Sequence, residues 1–288
     1  MRLAISTYSF HRFSAGPEAA RGQPPVEEMI RQAAAYGCGG VELLGVHLGL
    51  GGRAGAADAA LDRAALYRLK RVALAEGIDL IAVSANHNPV QPDPAERAQQ
   101  AAIVRRCIEA AAALGAPAVR VFGGRWGTIR SFEAYMAARG QEPPLPGYTE
   151  EDAFGWIVES FQACCAEAAR HGVVLALENH WGFTGTAAGV ARILAAVGSP
   201  WLGVALDTGN FLDDPYLQLE RLAPHAVLVH AKAYHGGGLY YTLDLDYRRL
   251  VALLRRAGYR GYLSLEYEGR LLPEEGIPQA LATLQEAF

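Results

Sequence analysis

Short apolar runs alternate along this chain with longer stretches in which apolar residues return every third or fourth position. The runs read as strands at residues 3–6, 40–44, 80–84, 118–122, 173–178, 203–206, 226–230 and 262–266. They are nearly continuously apolar, as strands covered on both faces of a parallel sheet must be. Between them, residues 26–36, 61–76, 95–114, 150–171, 186–197, 247–257 and 273–286 carry helical periodicity, and a shorter helix is expected at 216–222. Gly37, Gly77, Gly115, Gly172 and Gly258 each follow a helical run, where a left-handed C-terminal cap favours glycine. Eight β/α units predict an α/β protein built as one (β/α)8 barrel over residues 1–288. An open doubly wound sheet would more often carry a glycine-rich dinucleotide turn after its first strand, and no GxGxxG stands there. The glycine-rich run at 49–55 follows the second strand without a GK[ST] ending, so it reads as a flexible βα loop. The segment 126–149 is long and holds Pro143, Pro144, Pro146 and Gly147 before a Thr149 cap. It reads as a lid on the catalytic rim, with a surface excursion or an oligomer contact as the alternative.

Composition narrows the partners. The chain has 288 residues, 51% of them hydrophobic, enough for one large core. The net charge of −4 is spread rather than blocked, which argues against nucleic acid as a partner. No charged leader and no apolar stretch of spanning length is evident, so a cytoplasmic enzyme with no membrane partner is expected. Cys38, Cys107, Cys164 and Cys165 lack metal-type spacing and read as buried thiols in helical segments. Of the 26 basic residues only Lys70 and Lys232 are lysine.

The chemistry gathers at the ends of the last four strands: Glu178 in LALENH, Asp207 in VALDTGN, His230 in VLVHAKA and Glu266 in LSLEYEG. Parallel barrel strands aim these ends at one rim, so the four side chains converge although they lie far apart in sequence. A single carboxylate there is as often a helix cap or a solvated loop residue; four together call for a partner cation. Three carboxylates and an imidazole suit one divalent ion, Mn²⁺, Mg²⁺ or Co²⁺, with Zn²⁺ tolerated.

These motifs, together with GVEL at the second strand, resemble those of the xylose isomerase-like barrel superfamily, the sugar phosphate isomerase/epimerase family, along essentially the whole chain. The resemblance implies one metal ion on Glu178, Asp207, His230 and Glu266, chelating neighbouring substrate oxygens. It also implies that the two glutamates flank the reacting carbons. A cation on a carbonyl and its adjacent hydroxyl would stabilise enediolate charge, and Glu178 and Glu266 would then exchange protons as the catalytic pair. The expected activity is isomerisation or epimerisation of a small sugar or polyol. A lyase resembling inosose dehydratase shares the first step and is the nearest alternative. Apurinic endonuclease also shares the fold, but it uses a histidine-rich three-metal cluster and a cationic surface that this chain lacks. A non-catalytic sugar-binding barrel is the remaining alternative.

The substrate-binding candidates are weaker. His87, in SANHN, resembles the family's rim residues that contact substrate. His180 suits a substrate hydroxyl or a proton carrier, or is a plain loop imidazole. Lys232 stands out in a lysine-poor chain, although chance also explains it. Glu42 would orient substrate or a neighbouring base, or form a buried ion pair. Arg125, just past the fourth strand, is preferred to Arg120 within it for an anionic group. Trp181, with Phe183, Trp126 and Tyr8, suits the apolar face of a sugar, though rim aromatics also simply pack. The superfamily's sugar epimerases commonly carry a histidine after the strand-six aspartate, where this chain has Gly209 and Asn210. They also carry an arginine beyond the strand-seven histidine, where this chain has Tyr234 and His235, and both departures count against ketose 3-epimerase activity. Homo-oligomers are common in that superfamily, which leaves self-association open by analogy alone.

Overall fold

The computed structural model describes residues 1–12, 22–51 and 60–288. Eight parallel strands close in sequence order: β1 (Arg2–Ser6), β2 (Gly40–Leu44), β3 (Asp79–Ser84), β4 (Ala118–Phe122), β5 (Val174–Glu178), β6 (Leu202–Asp207), β7 (Ala226–Ala233) and β8 (Tyr262–Tyr267), with β8 paired back onto β1. Around them lie α1 (Val26–Ala35), α2 (Arg63–Glu76), α3 (Pro94–Leu114), α4 (Phe132–Ala137), α5 (Glu150–His171), α6 (Ala187–Val197), α7 (Pro215–Leu222), α8 (Tyr247–Arg256) and α9 (Pro273–Gln285). The main core fills the space between strands and helices, where Val119, Val121, Leu175 and Leu177 meet Val104, Ile108, Ile157 and Phe161. Helix ends follow local chemistry. Thr149 and Asp152 form a capping box that starts α5, and Gly172, at φ 66°, ends it in a conformation that would strain any residue with a Cβ.

Inside the barrel, residues two apart on a strand point the same way. The N-terminal end is filled by a separate apolar cluster of Ala4, Ile81, Ala82, Ala118, Ala176, Ala205 and Leu228. Register shifts interrupt the ladder between Val41 and Glu42 and between Val204 and Ala205, re-aiming the residues that follow.

The structure departs from the sequence pattern in three places. Strand β7 continues past His230 to Ala233, because Lys232 pairs in register with Glu266 and Ala233 with Tyr267 on β8. Residues 123–149 connect β4 to α5 and contain α4, whose Ser131 cap accepts from the Ala134 N–H. Cys38 lies in the turn between α1 and β2 rather than in a helix, and all four cysteines are buried and free. Of the glycine-rich run, residues 52–55 lie outside the described residues. Among the described residues no helix is long and apolar enough to cross a membrane.

Candidate metal centre

Glu178, Asp207, His230 and Glu266 end or nearly end β5, β6, β7 and β8, and each offers a ligand atom within 4.8 Å of the others. Asp207 and His230 are each tethered so that one polar atom faces the cluster, and Glu178 is held at both oxygens. Asp207 Oδ1 accepts from the Gly209 N–H at 2.7 Å, leaving Oδ2 without a hydrogen bond. Glu178 Oε1 accepts from Asn210 Nδ2 at 3.0 Å, while Oε2 faces Arg120 Nε at 3.2 Å. His230 Nε2 lies 2.9 Å and 3.1 Å from the two oxygens of Glu42. Glu42 can only accept when ionised, so Nε2 carries the proton and donates, and Nδ1 is turned to the acids. From Nδ1 the distances are 3.6 Å to Glu266, 3.8 Å to Asp207 and 3.9 Å to Glu178.

Five acids, Glu42, Glu178, Asp207, Glu266 and Glu268, are each less than a tenth exposed, and so are two basic side chains, Arg120 and Lys232. The local field is therefore negative. Burial alone would raise Glu178, but Arg120 and His230 hold it well below the usual carboxylate range. Asp207 goes the other way: burial, with Glu266 and Glu178 nearby, outweighs Lys232 and pushes it up to about 7. Burial opposes charging His230, yet Glu42 and Glu266 hold its pKa well above that of an ordinary imidazole. Burial would likewise raise Glu42, which His230 and Arg120 pull down overall.

A divalent cation fits this donor set. His230 Nδ1 is buried without a hydrogen-bond partner, and Glu178 Oε2 and Asp207 Oδ2 make no hydrogen bond beyond their ion-pair contacts to Arg120 at 3.2 Å and Lys232 at 3.3 Å, so coordination would supply what the protein leaves unmade. The net negative charge has the sign a cation needs. The Glu42–His230 contact also fixes the tautomer that frees Nδ1 for an ion, the usual carboxylate–histidine support of a metal ligand. An ion would displace whatever proton Nδ1 holds.

The substrate-binding candidates divide into two groups. His87, Arg125, His180 and Trp181 line one cavity of about 440 Å³, with Asn86, Asn88, Gln100, Ile103, Phe122 and Gly124. The His180 ring lies against Phe122, their centroids 4.8 Å apart, and Trp181 packs on Tyr135 and Tyr241. Burial lowers His87 to about 3 and His180 to about 4, so both rings are neutral at neutral pH. Arg125 is committed elsewhere: its guanidinium pairs with the buried Glu142 at 2.9 Å and lies over Tyr135. Lys232 and Glu42 do not line this cavity. Lys232 stands among the acids, and Glu42 is fully buried behind His230, held also by Ser84 and Ser264. A larger hollow of about 600 Å³ opens at the opposite end of the barrel, lined by Leu114, Ala118, Leu228 and Tyr262, and none of the candidate residues reaches it.

Several participants were passed over in the sequence. Arg120, set aside because it lies inside a strand, is the residue that meets Glu178. Asn179 and Asn210 sit within the quoted ENH and DTGN motifs. Asn179 exchanges hydrogen bonds with the Asp207 backbone, and Asn210 bridges Glu178 and the Asn179 carbonyl. Glu268, two residues past Glu266, binds Lys232. Its period-two spacing from Glu266 was the available signal.

A family model for the xylose isomerase-like TIM barrel matches residues 30–287. Among solved structures, 3-keto-D-glucoside 4-epimerase from E. coli in its apo form is 18% identical, with 99% of each chain covered and a TM-score of 0.75. A D-psicose 3-epimerase determined in the presence of D-fructose is 18% identical, covering 100% of this chain and 96% of its own, with a TM-score of 0.70. The probable 3-DHS dehydratase AsbF from Bacillus anthracis is 17% identical, with 99% of each chain covered and a TM-score of 0.70. Among curated proteins no sequence match is found. At these identities the solved structures establish the shared fold.

Proposed function

The chain belongs to the xylose isomerase-like TIM barrel family, and from that premise we propose that it is a metal-dependent isomerase or epimerase of a small, unphosphorylated sugar or polyol. One observation carries this reading: Glu178, Asp207, His230 and Glu266 are buried with ligand atoms within 4.8 Å of one another, and His230 Nδ1 among them has no hydrogen-bond partner. An ion bound there would supply a Lewis acid for a substrate carbonyl and its neighbouring hydroxyl, making the adjoining C–H more acidic.

The chain's own groups supply the rest. Arg120 Nε, 3.2 Å from Oε2, favours the ionised form of Glu178. Glu178 therefore starts as a proton acceptor for a carbon acidified by the ion. Glu266 has Oε2 held by Lys232 at 2.9 Å, while its Oε1 lies 3.6 Å from His230 Nδ1, on the side of the reacting centre. Asn210 and Arg120 fix Glu178, so the carboxylate needs little reorientation in the transition state. The rest of the substrate would lie in the 440 Å³ cavity, against Phe122, His180 and Trp181. Among the described residues lining that cavity, the one permanent cation is Arg125, already neutralised by Glu142, which favours a neutral substrate over a phosphorylated one.

A second reading, elimination of water from a keto-polyol, is favoured by Gly209, Asn210, Tyr234 and His235 standing where the sugar epimerases carry histidine and arginine. One assay decides. Mn²⁺-loaded protein is incubated with keto-sugars, glycosides, inososes and their phosphates, and products are followed by mass and NMR. A mass-conserving isomer from an unphosphorylated substrate supports the first reading. Loss of one water supports the second, and turnover confined to phosphates contradicts the assignment of the cavity.

A further inference from the structure

Lys232 is 3% exposed, and its ammonium stands among the acids of the cluster. Its Nζ lies 2.9 Å from Glu266 Oε2, 3.0 Å from Glu268 Oε1 and 3.3 Å from Asp207 Oδ2. Two of these acids belong to the candidate ligand set; Glu268 does not.

The position is built into the fold. Lys232 lies on β7 two residues after His230, so both side chains turn into the barrel. Its backbone N–H donates to Thr208 Oγ1 at 3.0 Å, and its carbonyl accepts from Tyr247 O–H at 2.5 Å. Residue 209 must be glycine for the stem to pass, because a Cβ there would fall 2.7 Å from both Cβ and Cγ of Lys232. Glu268 is itself anchored by Tyr8 O–H at 3.3 Å. An ammonium and a divalent ion that draw on Asp207 and Glu266 repel each other strongly at such distances inside a protein. Glu268 is the acid that can retain the ammonium when the other two turn to an ion.

We propose that Lys232 is an internal cation competing with the divalent ion for Asp207 and Glu266, and that Glu268 is the seat the ammonium keeps when the ion binds. This inference rests on the metal-centre reading. It gives the acid cluster a counter-charge of its own, so the ion exchanges without loss of the fold, and it sets the affinity below what four ligands would otherwise reach.

The test is Mn²⁺ binding, by calorimetry and by loss of the free-ion EPR signal, with wild type, Lys232→Met, Glu268→Gln and the double variant. Lys232→Met is expected to bind at least about tenfold tighter, because a buried like charge is gone. Its melting temperature without metal falls, and saturating Mn²⁺ restores it. Glu268→Gln is expected to bind about tenfold more weakly, since the ammonium loses its alternative partner. The double variant should resemble Lys232→Met, because the seat matters only while the lysine is present. Lys232→Met binding no tighter than wild type, while wild type binds, overturns the inference and leaves the metal centre standing. Wild type failing to bind Mn²⁺ removes the metal centre and the inference together. Should Lys232→Met fail to fold, Glu268→Gln decides alone, and unchanged affinity in it overturns the proposal.

Discussion

The two ends of the barrel interior are built on the same strands, one inward step apart. Ala82 is followed by Ser84, Ala118 by Arg120, Ala176 by Glu178, Ala205 by Asp207 and Leu228 by His230. The lower layer is small and apolar, while the upper one concentrates buried acids around Arg120, Lys232 and His230. The two layers answer to different physics. Small apolar residues let the strands close and stabilise by packing. Buried like charges are an electrostatic burden that the fold carries for the sake of binding. Damage to the lower layer should therefore appear as lost stability alone, and damage to the acids of the upper one chiefly as lost turnover or metal affinity.

The largest effect is expected above. Glu178→Gln and Glu266→Gln should each lower turnover by about 100-fold or more, the scale of general acid–base catalysis. Circular dichroism and melting temperature should stay near wild type, and a variant that keeps full turnover loses its acid/base role. Next comes Asn210→Ala, which frees Glu178 Oε1 and the Asn179 carbonyl. Metal affinity should weaken by about 10- to 100-fold, the scale seen for partners that orient ligands, as read by Mn²⁺ titration.

Below, Ala4→Leu tests the other half of the contrast, because β1 carries none of the candidate ligands and Ala4 is fully buried. Overpacking there should cost about 1–3 kcal/mol by denaturant titration, with Mn²⁺ affinity unchanged. A large affinity loss in this variant would merge the two layers into one. The smallest effect is in pH. Burial, with Arg120 nearby, lowers His87 from 6.5 to about 3, so the folded protein keeps the ring neutral where the unfolded chain protonates it. Its contribution is fully present above pH 6.5 and is lost as pH falls towards 3, about 2 kcal/mol of it between pH 7 and pH 5. His87→Gln should flatten that part of the stability–pH curve in urea titrations, and an unaltered slope would place the acid sensitivity elsewhere.

Much of this contrast is legible in the amino-acid order. Apolar runs marked every strand, and parallel closure brings the ends of β5 to β8 to one rim whatever their separation in sequence. The end of β7 is less legible, because the strand pattern read from the sequence stops at His230, whereas Ala231 to Ala233 continue as a strand paired with β8. Arg120 was passed over for Arg125 because a charge within a strand reads as structural. Nothing local to either arginine shows that one meets Glu178 and the other Glu142. For Glu42 the sequence offers orientation of substrate or a neighbouring base, or a buried ion pair; the partners that decide, His230, Ser84 and Ser264, come from three other strands. Strand positions follow from local pattern; pairings across the barrel depend on the full three-dimensional register.

The most direct test is anomalous diffraction from crystals grown with Mn²⁺ and recorded at the manganese edge. A single strong peak in contact with Glu178, Asp207, His230 and Glu266 is the expected result. No peak there at saturating Mn²⁺, or a peak bound by other residues, would contradict the account.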